Sequence, residues 1–427
     1  MNFVPLRPVI TNKSVKVSNK IVVIGGGAAG FFAAITCAAE NKQNEVLLLE
    51  KTSKLLQKVK ISGGGRCNVT HACFEIKPLT QAYPRGEKQL KAAFARFSTK
   101  DTVEWFESRK VKLKTEADGR MFPASNNSQT IIDCLLKEAK KNKVNIRTQV
   151  GVKKIIPNFN GGFDLILDNN EKIFCNRVIV AAGGTPKSEH LNWIKELNIK
   201  VEQPVPSLFS FNIEHTELRN LSGITINPAR IRIKNTKFEF SGPLLITHWG
   251  VSGPVILKAS SYAARVLADL NYNFNIEISW LDNRKEDSVR QELMNIKAAN
   301  PNKSVKSLFP SYLPARLNSY LINRAGIDEN INWAEVSKEA VNGLINVLLY
   351  DNYTITGRTT YKEEFVTCGG VNLDEIDFKT MECKRIRGLH FAGEILDIDG
   401  ITGGFNFQAA WTTAFIAGKA AGAATNQ

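Results

Sequence analysis

Apolar positions along this chain come in short β-branched runs separated by Ala-rich stretches, a pattern that predicts strands alternating with helices. Ile21-Val22-Val23-Ile24 is uniformly apolar, as a strand covered on both faces of a parallel sheet must be. Six small residues, Gly25-Gly26-Gly27-Ala28-Ala29-Gly30, lead into an Ala-rich helical stretch that runs through Ala39. Val46-Leu47-Leu48-Leu49 repeats the apolar run and ends on Glu50. Residues 86–140 read as mainly helical around a loop at 118–123. A strand begins near 144–150, and 162–167 with 172–174 read as a hairpin. Val178-Ile179-Val180 is another buried run, emptying into Ala181-Ala182-Gly183-Gly184.

From about residue 207 the period changes. Phe209–Ile213, Ala229–Ile233 and Phe238–Phe240 alternate as antiparallel strands do, and Phe274–Trp280 adds one more. Residues 185–205 read as a helix with a Pro-rich exit, 242–254 as a turn-rich stretch and 255–268 as a helix. Residues 284–349 read as polar helices broken at Pro301, Pro310 and Pro314. The first pattern then returns. Glu363–Val371 precedes Leu389-His390-Phe391-Ala392-Gly393-Glu394, and an Ala/Gly-rich helix over 408–424 closes the chain.

The first glycine cluster carries chemistry. Between a strand and a helix, Gly25 permits a tight turn, Gly27 lets a pyrophosphate approach the backbone, and Gly30 lets the helix pack against the sheet. The helix N-terminus offers free N–H groups to phosphate. Glu50, 20 residues after Gly30, is placed to accept from a ribose diol. The bland alternative is a glycine turn that only packs. A second cluster, Ser62-Gly63-Gly64-Gly65-Arg66-Cys67-Asn68, removes side chains where something flat or phosphorylated comes close. Arg66 there suits either a phosphate or a substrate carboxylate, and the alternative is an ordinary flexible loop. The segment Phe391-Ala392-Gly393-Glu394 with a helix soon after resembles the second FAD motif of glutathione-reductase-type flavoproteins, which implies FAD rather than NAD.

These readings predict an α/β fold: a Rossmann-type FAD-binding domain with an inserted antiparallel, barrel-like β part plus a small helical domain. The expected boundaries are a flexible leader (1–19), FAD domain (20–206), insert (207–355; β part 207–283, helical part 284–349) and FAD domain again (356–427). The chain has 427 residues with 56 Lys+Arg against 41 Asp+Glu, a net charge of +15. That favours anionic ligands, but no block of five basic residues occurs, so a solvated basic surface is the plainer reading. Seven cysteines without paired spacing argue against a stapled secreted domain and for a reducing cytoplasm. No apolar stretch approaches the ~18 residues of a membrane span.

GGGAAG (25–30), SGGGRCNVTH (62–71), GRMFPAS (119–125), AAGG (181–184), GPLLITHWGVSGP (242–254), TCGGV (367–371) and FAGEILDIDGITGGFNFQAAWTTAFIAG (391–418) together resemble the aminoacetone oxidase/BaiN-like family of bacterial FAD-dependent oxidoreductases. The resemblance runs from about residue 20 to the end. It implies noncovalent FAD and hydride transfer between flavin N5 and a small or medium organic substrate, of C=C reductase or amine oxidase type. Two departures are His71, where members often have Asn, and the segment Thr185–His190. The expected FAD contacts are Gly25, Gly27, Ala28, Ala29, Gly30, Glu50, Lys51, Ser62, Gly63, Gly64, Gly65, Arg66, Cys67, Asn68, Val152, Ala182, Gly183, Gly393, Glu394, Gly403, Gly404, Phe405 and Asn406.

For catalysis, His248 is a candidate acid/base at neutral pH and Cys67 beside Arg66 a candidate thiolate. Their bland readings are a packed histidine and an unlinked cysteine. His71 and His390 are weaker candidates. Asp397 and Asp399 suit either the ribityl chain or a cationic amine, or only cap the Gly400 turn. No metal is expected. A second GxGxxG is absent, so NAD(P)H as reductant would dock transiently; dioxygen would make the protein an oxidase instead. The partners expected are a small-molecule substrate, no membrane and no specific nucleic acid. The competing reading, from the net charge, is a basic flavoprotein that binds RNA or another polyanion.

Overall fold

Val22, Val23, Leu48, Val178, Ile179 and Val180 have no exposed surface, and the reason is the sheet they form. Lys20–Ile24 lies between Glu45–Glu50 and Arg177–Val180, parallel to both. Asn145–Thr148 and Leu389–Phe391 extend the parallel sheet on either side, and two short antiparallel strands complete seven. The structure, a computed structural model, describes residues 19–308, 312–359 and 366–424. The expected leader up to residue 18, and Glu363–Phe365 ahead of the returning strand, lie outside the described residues.

The sheet order places the first strand where chain growth reverses. Glu45–Glu50 and Asn145–Thr148 stack to one side, Arg177–Val180 and Leu389–Phe391 to the other. Ligands of open α/β sheets bind at this point, beyond the carboxyl ends of the strands. The helix Ala28–Glu40 packs against the C-terminal helix Phe405–Gly422 through small residues. A Cβ on Gly418 would lie 2.6 Å from the Ala33 carbonyl oxygen, and one on Gly422 2.6 Å from that of Cys37.

A second core belongs to a closed, six-stranded antiparallel barrel. Around it run Ser210–Ile213, Gly250–Ser252, Glu239–Thr247, Thr225–Ile233, Phe274–Ser279 and Asp351–Thr359. Phe211, Ile231, Ile246, Ile276, Ile278 and Ile355 are fully buried, as the inward positions of a small barrel must be. Helices at Glu286–Ala299, Ala315–Arg324 and Lys338–Leu349 pack against the same core.

Several elements differ from the sequence expectation. The turn-rich stretch 242–254 contains most of a nine-residue barrel strand and its hairpin partner. Residues 113–115 and 120–123 form strands with Thr70–His71 inside the region read as helical. The hairpin at 162–175 gains a third strand, Val152–Pro157. The Pro-rich exit is itself a strand, Val201–Ser207, paired with Val366–Val371 across a bulge. That two-stranded position tolerates Pro204 and Pro206, which lack N–H donors. The expected helix over 255–268 is two helices, Pro254–Tyr262 and Ala264–Asp269.

Candidate cofactor and substrate site

The carboxyl ends of the parallel strands open into a cleft of about 810 Å³, within the ~300–1,000 Å³ of ligand pockets. Gly25 leaves the first strand with φ +114°, and a Cβ there would lie 2.3 Å from the Ala181 carbonyl oxygen. A Cβ on Gly30 would lie 1.8 Å from the Gly25 carbonyl oxygen. These two glycines serve the packing of turn and helix. Gly27 differs: a Cβ there would meet nothing within 4 Å, because it would project into the cleft. Gly64 and Gly183 also line the cleft with the same emptiness. Backbone is thus laid bare where a ligand must come close.

Two helix N-termini meet this space. Ala28–Glu40 starts at Gly27 with no side-chain cap and no acidic residue in its first turn. Phe405–Gly422 starts at Gly404 in the same way. The first amides of each helix have no intrahelical acceptor and carry the positive end of the helix dipole. The two helices run parallel with Gly418 beside Ala33, so Thr413 is level with Ala28. Phe405 therefore lies eight residues further along, or ~12 Å at 1.5 Å per residue. One terminus suits a diphosphate and the other the electron-rich pyrimidine edge of a flavin. The Glu50 carboxylate accepts from the Gly26 N–H at 2.8 Å and from Thr52 N–H at 2.8 Å. It lines the cleft with further lone pairs for a ribose. The residues present fit an FAD molecule extended between the two helices.

Of the expected contacts, Gly25, Gly27, Ala28, Ala29, Glu50, Ser62, Gly63, Gly64, Arg66, Asn68, Ala182, Gly183, Gly393, Glu394, Gly403, Gly404 and Asn406 line the cleft. Gly30, Lys51, Gly65, Cys67, Val152 and Phe405 are not among its lining residues. Gly30 is occupied by packing, and Phe405 stacks on His71 at 4.6 Å. Asn406 spends its amide on both backbone groups of Gly400, at 2.8 and 3.0 Å. Asn68 accepts the Gly404 N–H at 2.9 Å and so fixes the start of the C-terminal helix. Glu394 accepts the Thr367 N–H at 2.9 Å and pairs with Lys58 at 2.5 Å.

The expected catalytic groups lie elsewhere. Cys67 has no exposed surface, and burial pushes its thiol up to about 12, so it is no thiolate at neutral pH. All seven cysteines are free. His248 is exposed in the turn between two barrel strands, outside the cleft lining, with its carbonyl accepting from Arg219 at 2.8 Å. The same hairpin presents Ser252, at its other end, to the cleft. Asp399 is fully buried in a bidentate pair with Arg85 and also accepts from Ser207 at 2.7 Å. Asp397 pairs with Arg265 at 2.8 Å. Neither aspartate lines the cleft; Asp397 ties its segment to Arg265 of the helix Ala264–Asp269, and Asp399 holds Arg85, which reaches the Ser261 carbonyl at 2.5 Å. His390 is buried in its strand, facing the Thr380 carbonyl at 3.0 Å, and burial lowers its pKa. Among the described residues no group of three His, Cys, Asp or Glu could hold a metal.

The barrel supplies the opposite wall: Leu208, Ser210, Ser252, Leu257 and Thr359. The Ser210 hydroxyl donates to Ser252 at 2.7 Å, which leaves the Ser252 proton for a ligand. Closure of the barrel brings these residues to the cleft, and the pairing of Arg120 with His71 brings Arg120 there.

The sequence profile of the HI0933-like Rossmann-domain family matches residues 19–420. The chain belongs to this family. It is accordingly an FAD-dependent oxidoreductase. The chain is 30% identical over 397 residues to a ribosomal RNA dihydrouridine synthase of Haemophilus influenzae, covering 90% of this chain and 94% of that one. It is 28% identical to the protein of that name in Escherichia coli K12, with the same coverage. It is 25% identical over 411 residues to a 3-dehydro-bile acid delta(4,6)-reductase of Clostridium scindens, covering 94% and 99%. Among solved structures, a 3-ketosteroid delta1-dehydrogenase of Sterolibacterium denitrificans shares the fold at 12% identity, TM-score 0.50, covering 94% of this chain and 99% of that one. No helix among the described residues is long and apolar enough to cross a membrane.

Proposed function

We propose that this protein is a reductase that saturates a carbonyl-conjugated C=C bond, and that its substrate is a uracil base of ribosomal RNA. The observation that carries the reductase reading is the makeup of the cleft. It joins an uncapped, glycine-lined FAD cradle to a barrel wall bearing the Ser210–Ser252 hydroxyl pair. The relatives' names describe one chemistry, since a dihydrouridine synthase and a bile-acid delta(4,6)-reductase both saturate a C=C conjugated to a carbonyl. RNA is favoured by the two dihydrouridine synthases and by the net charge of +15, which suits a polyanion. This departs from the expectation of a small-molecule substrate without a nucleic-acid partner. It unites the flavoenzyme reading with the polyanion reading.

Bound FAD in its reduced state supplies hydride from N5, and NAD(P)H, docking transiently, is the reductant class this reading requires. The protein's residues do the rest. The first amides of Phe405–Gly422, uncapped and facing the cleft, would hold the negative charge of a reduced flavin. Hydride adds at uracil C6 while the C5=C6 electron pair moves toward the C4 carbonyl. Ser252, held by Ser210, donates to that oxygen as charge develops. A proton taken from solvent water then reaches C5, completing a two-electron, two-hydrogen reduction. Leu208 and Leu257 exclude water from the reacting face.

A steroid enone is the second reading, favoured by the 25% relative. Nucleoside mass spectrometry of ribosomal RNA from cells lacking the gene tests the first. Loss of dihydrouridine, restored by the wild-type gene, supports it. An unchanged dihydrouridine content, with anaerobic reoxidation of the reduced protein by a steroid enone, would replace it with the second.

A further inference from the structure

Arg66 and Arg120 both line the cleft. We propose that they form a clamp for a phosphate of the RNA strand that carries the target base. The inference rests on the RNA reading above.

The two guanidiniums are built into one unit. Glu116 bridges them, accepting from Arg66 at 2.6 Å and from Arg120 at 3.1 Å. Phe122 lies beneath, with its ring centre 4.0 Å from the Arg66 guanidinium carbon and 5.5 Å from that of Arg120. Asp118 takes the Arg120 Nε–H at 2.7 Å, and the Gly63 carbonyl takes that of Arg66 at 3.4 Å. An arginine carries five N–H donors in a planar fork. Two are used on each side chain, so three on each have no acceptor among the described residues. The two carboxylates fix the forks in place and leave donors turned to a ligand. With about a third of each side chain exposed, the pair is open to the mouth of the cleft.

The location argues against a role on the FAD diphosphate. Arg120 pairs in register with His71, and His71 stacks on Phe405, the first residue of the C-terminal helix. The clamp therefore stands beside the start of the C-terminal helix, the end that lies ~12 Å along the helix axis from the level of Ala28. A bidentate arginine pair at that end recognises a tetrahedral or planar oxyanion carried by the substrate. The phosphate of a nucleotide and the carboxylate of an acidic steroid share this chemistry. The net charge of +15 favours a polyanionic strand over a monoanionic steroid.

The test is titration of the oxidised holoenzyme, followed by flavin absorbance, with uridine, uridine 5′-monophosphate and a uridine-containing oligoribonucleotide. A steroid enone acid and its methyl ester form the second arm. The wild-type protein is expected to bind the monophosphate about tenfold more tightly than uridine, the range of a charge-assisted contact. Arg120→Gln should bring that ratio to about 1 with FAD content unchanged, and lower the salt slope for the oligonucleotide by about 1. Arg66→Lys, which keeps the charge and loses the fork, should fall between. Equal affinity for uridine and its monophosphate in the wild type, or an unchanged ratio in both variants, overturns the clamp. Discrimination confined to the steroid acid over its ester overturns the phosphate assignment. If cells lacking the gene lose dihydrouridine while the ratio is 1, the clamp fails and the RNA reading stands. A high ratio with dihydrouridine unchanged keeps the clamp and removes the base-reduction reading.

Discussion

Gly27→Ala isolates the cofactor cradle from the packing around it. A methyl at Gly27 meets no protein atom within 4 Å, so the fold has room for it. Its φ of −90° suits alanine as well as glycine. Exchanging glycine for alanine at a helix N-cap costs about 0.5–1 kcal/mol. The methyl instead enters the space the diphosphate needs against the free amides of Ala28–Glu40. Losing one charge-assisted hydrogen bond there costs about 1.5–3 kcal/mol, or roughly 10–100-fold in affinity. Gly30→Ala is the contrast, because its methyl would lie 1.8 Å from the Gly25 carbonyl oxygen. Overpacking of that kind costs about 1–3 kcal/mol. The assay pairs calorimetry of apoprotein with FAD titration by flavin fluorescence. Gly27→Ala should keep the wild-type apo Tm within about 2 °C and lose FAD affinity, whereas Gly30→Ala should lose Tm. A Gly27→Ala protein that binds FAD as tightly as wild type would refute the assignment of this turn to the diphosphate.

Three further outcomes follow from the site. Cys67, with its thiol pushed up to about 12 by burial, should resist alkylation in the folded protein at pH 8, and Cys67→Ala should turn over within about twofold of wild type; rapid loss of activity with iodoacetamide that Cys67→Ala abolishes would show otherwise. Burial lowers the His390 pKa, so the unfolded chain takes up a proton that the folded one refuses. The stability it confers is full above about pH 6.5 and falls as pH drops below it, by at most about 1.4 kcal/mol per pH unit; thermal melts from pH 7.5 to 5 should be flatter for His390→Gln. Ser252→Ala should retain FAD yet lower the rate of substrate reduction by about 10–100-fold through loss of one donor to developing charge, and stopped-flow reoxidation of the reduced enzyme measures it.

The parts of the site that were legible in the sequence are those made by neighbours in the chain. Gly25, Gly27 and Gly30 follow a buried strand and precede a helix, and Glu50 ends the next strand, so local order alone places four functions. The Phe-Ala-Gly-Glu segment is of the same kind. The barrel wall was not legible, because Ser210, Ser252 and Thr359 meet only through antiparallel pairing, across 42 residues for Ser210 and Ser252 and across more than a hundred for Thr359. His248 was attractive for its chemistry, but hairpin geometry sends the turn to solvent and the Ser252 end to the cleft. Asp397 and Asp399 lie in a glycine-rich segment that suggests a ligand. Their partners, Arg265 and Arg85, are remote in sequence and take both carboxylates. The arginine pair was half visible: Arg66 stood out beside its glycines, while Arg120 needed the strand pairing with His71 to reach the same cleft.

The account depends on one dinucleotide lying across the two uncapped helix ends. Acid release of the cofactor from freshly purified protein, with chromatography of the supernatant, measures this most directly. FAD at one molecule per chain is the predicted result. Release of FMN, or a colourless protein that takes up no FAD when it is supplied, would contradict it.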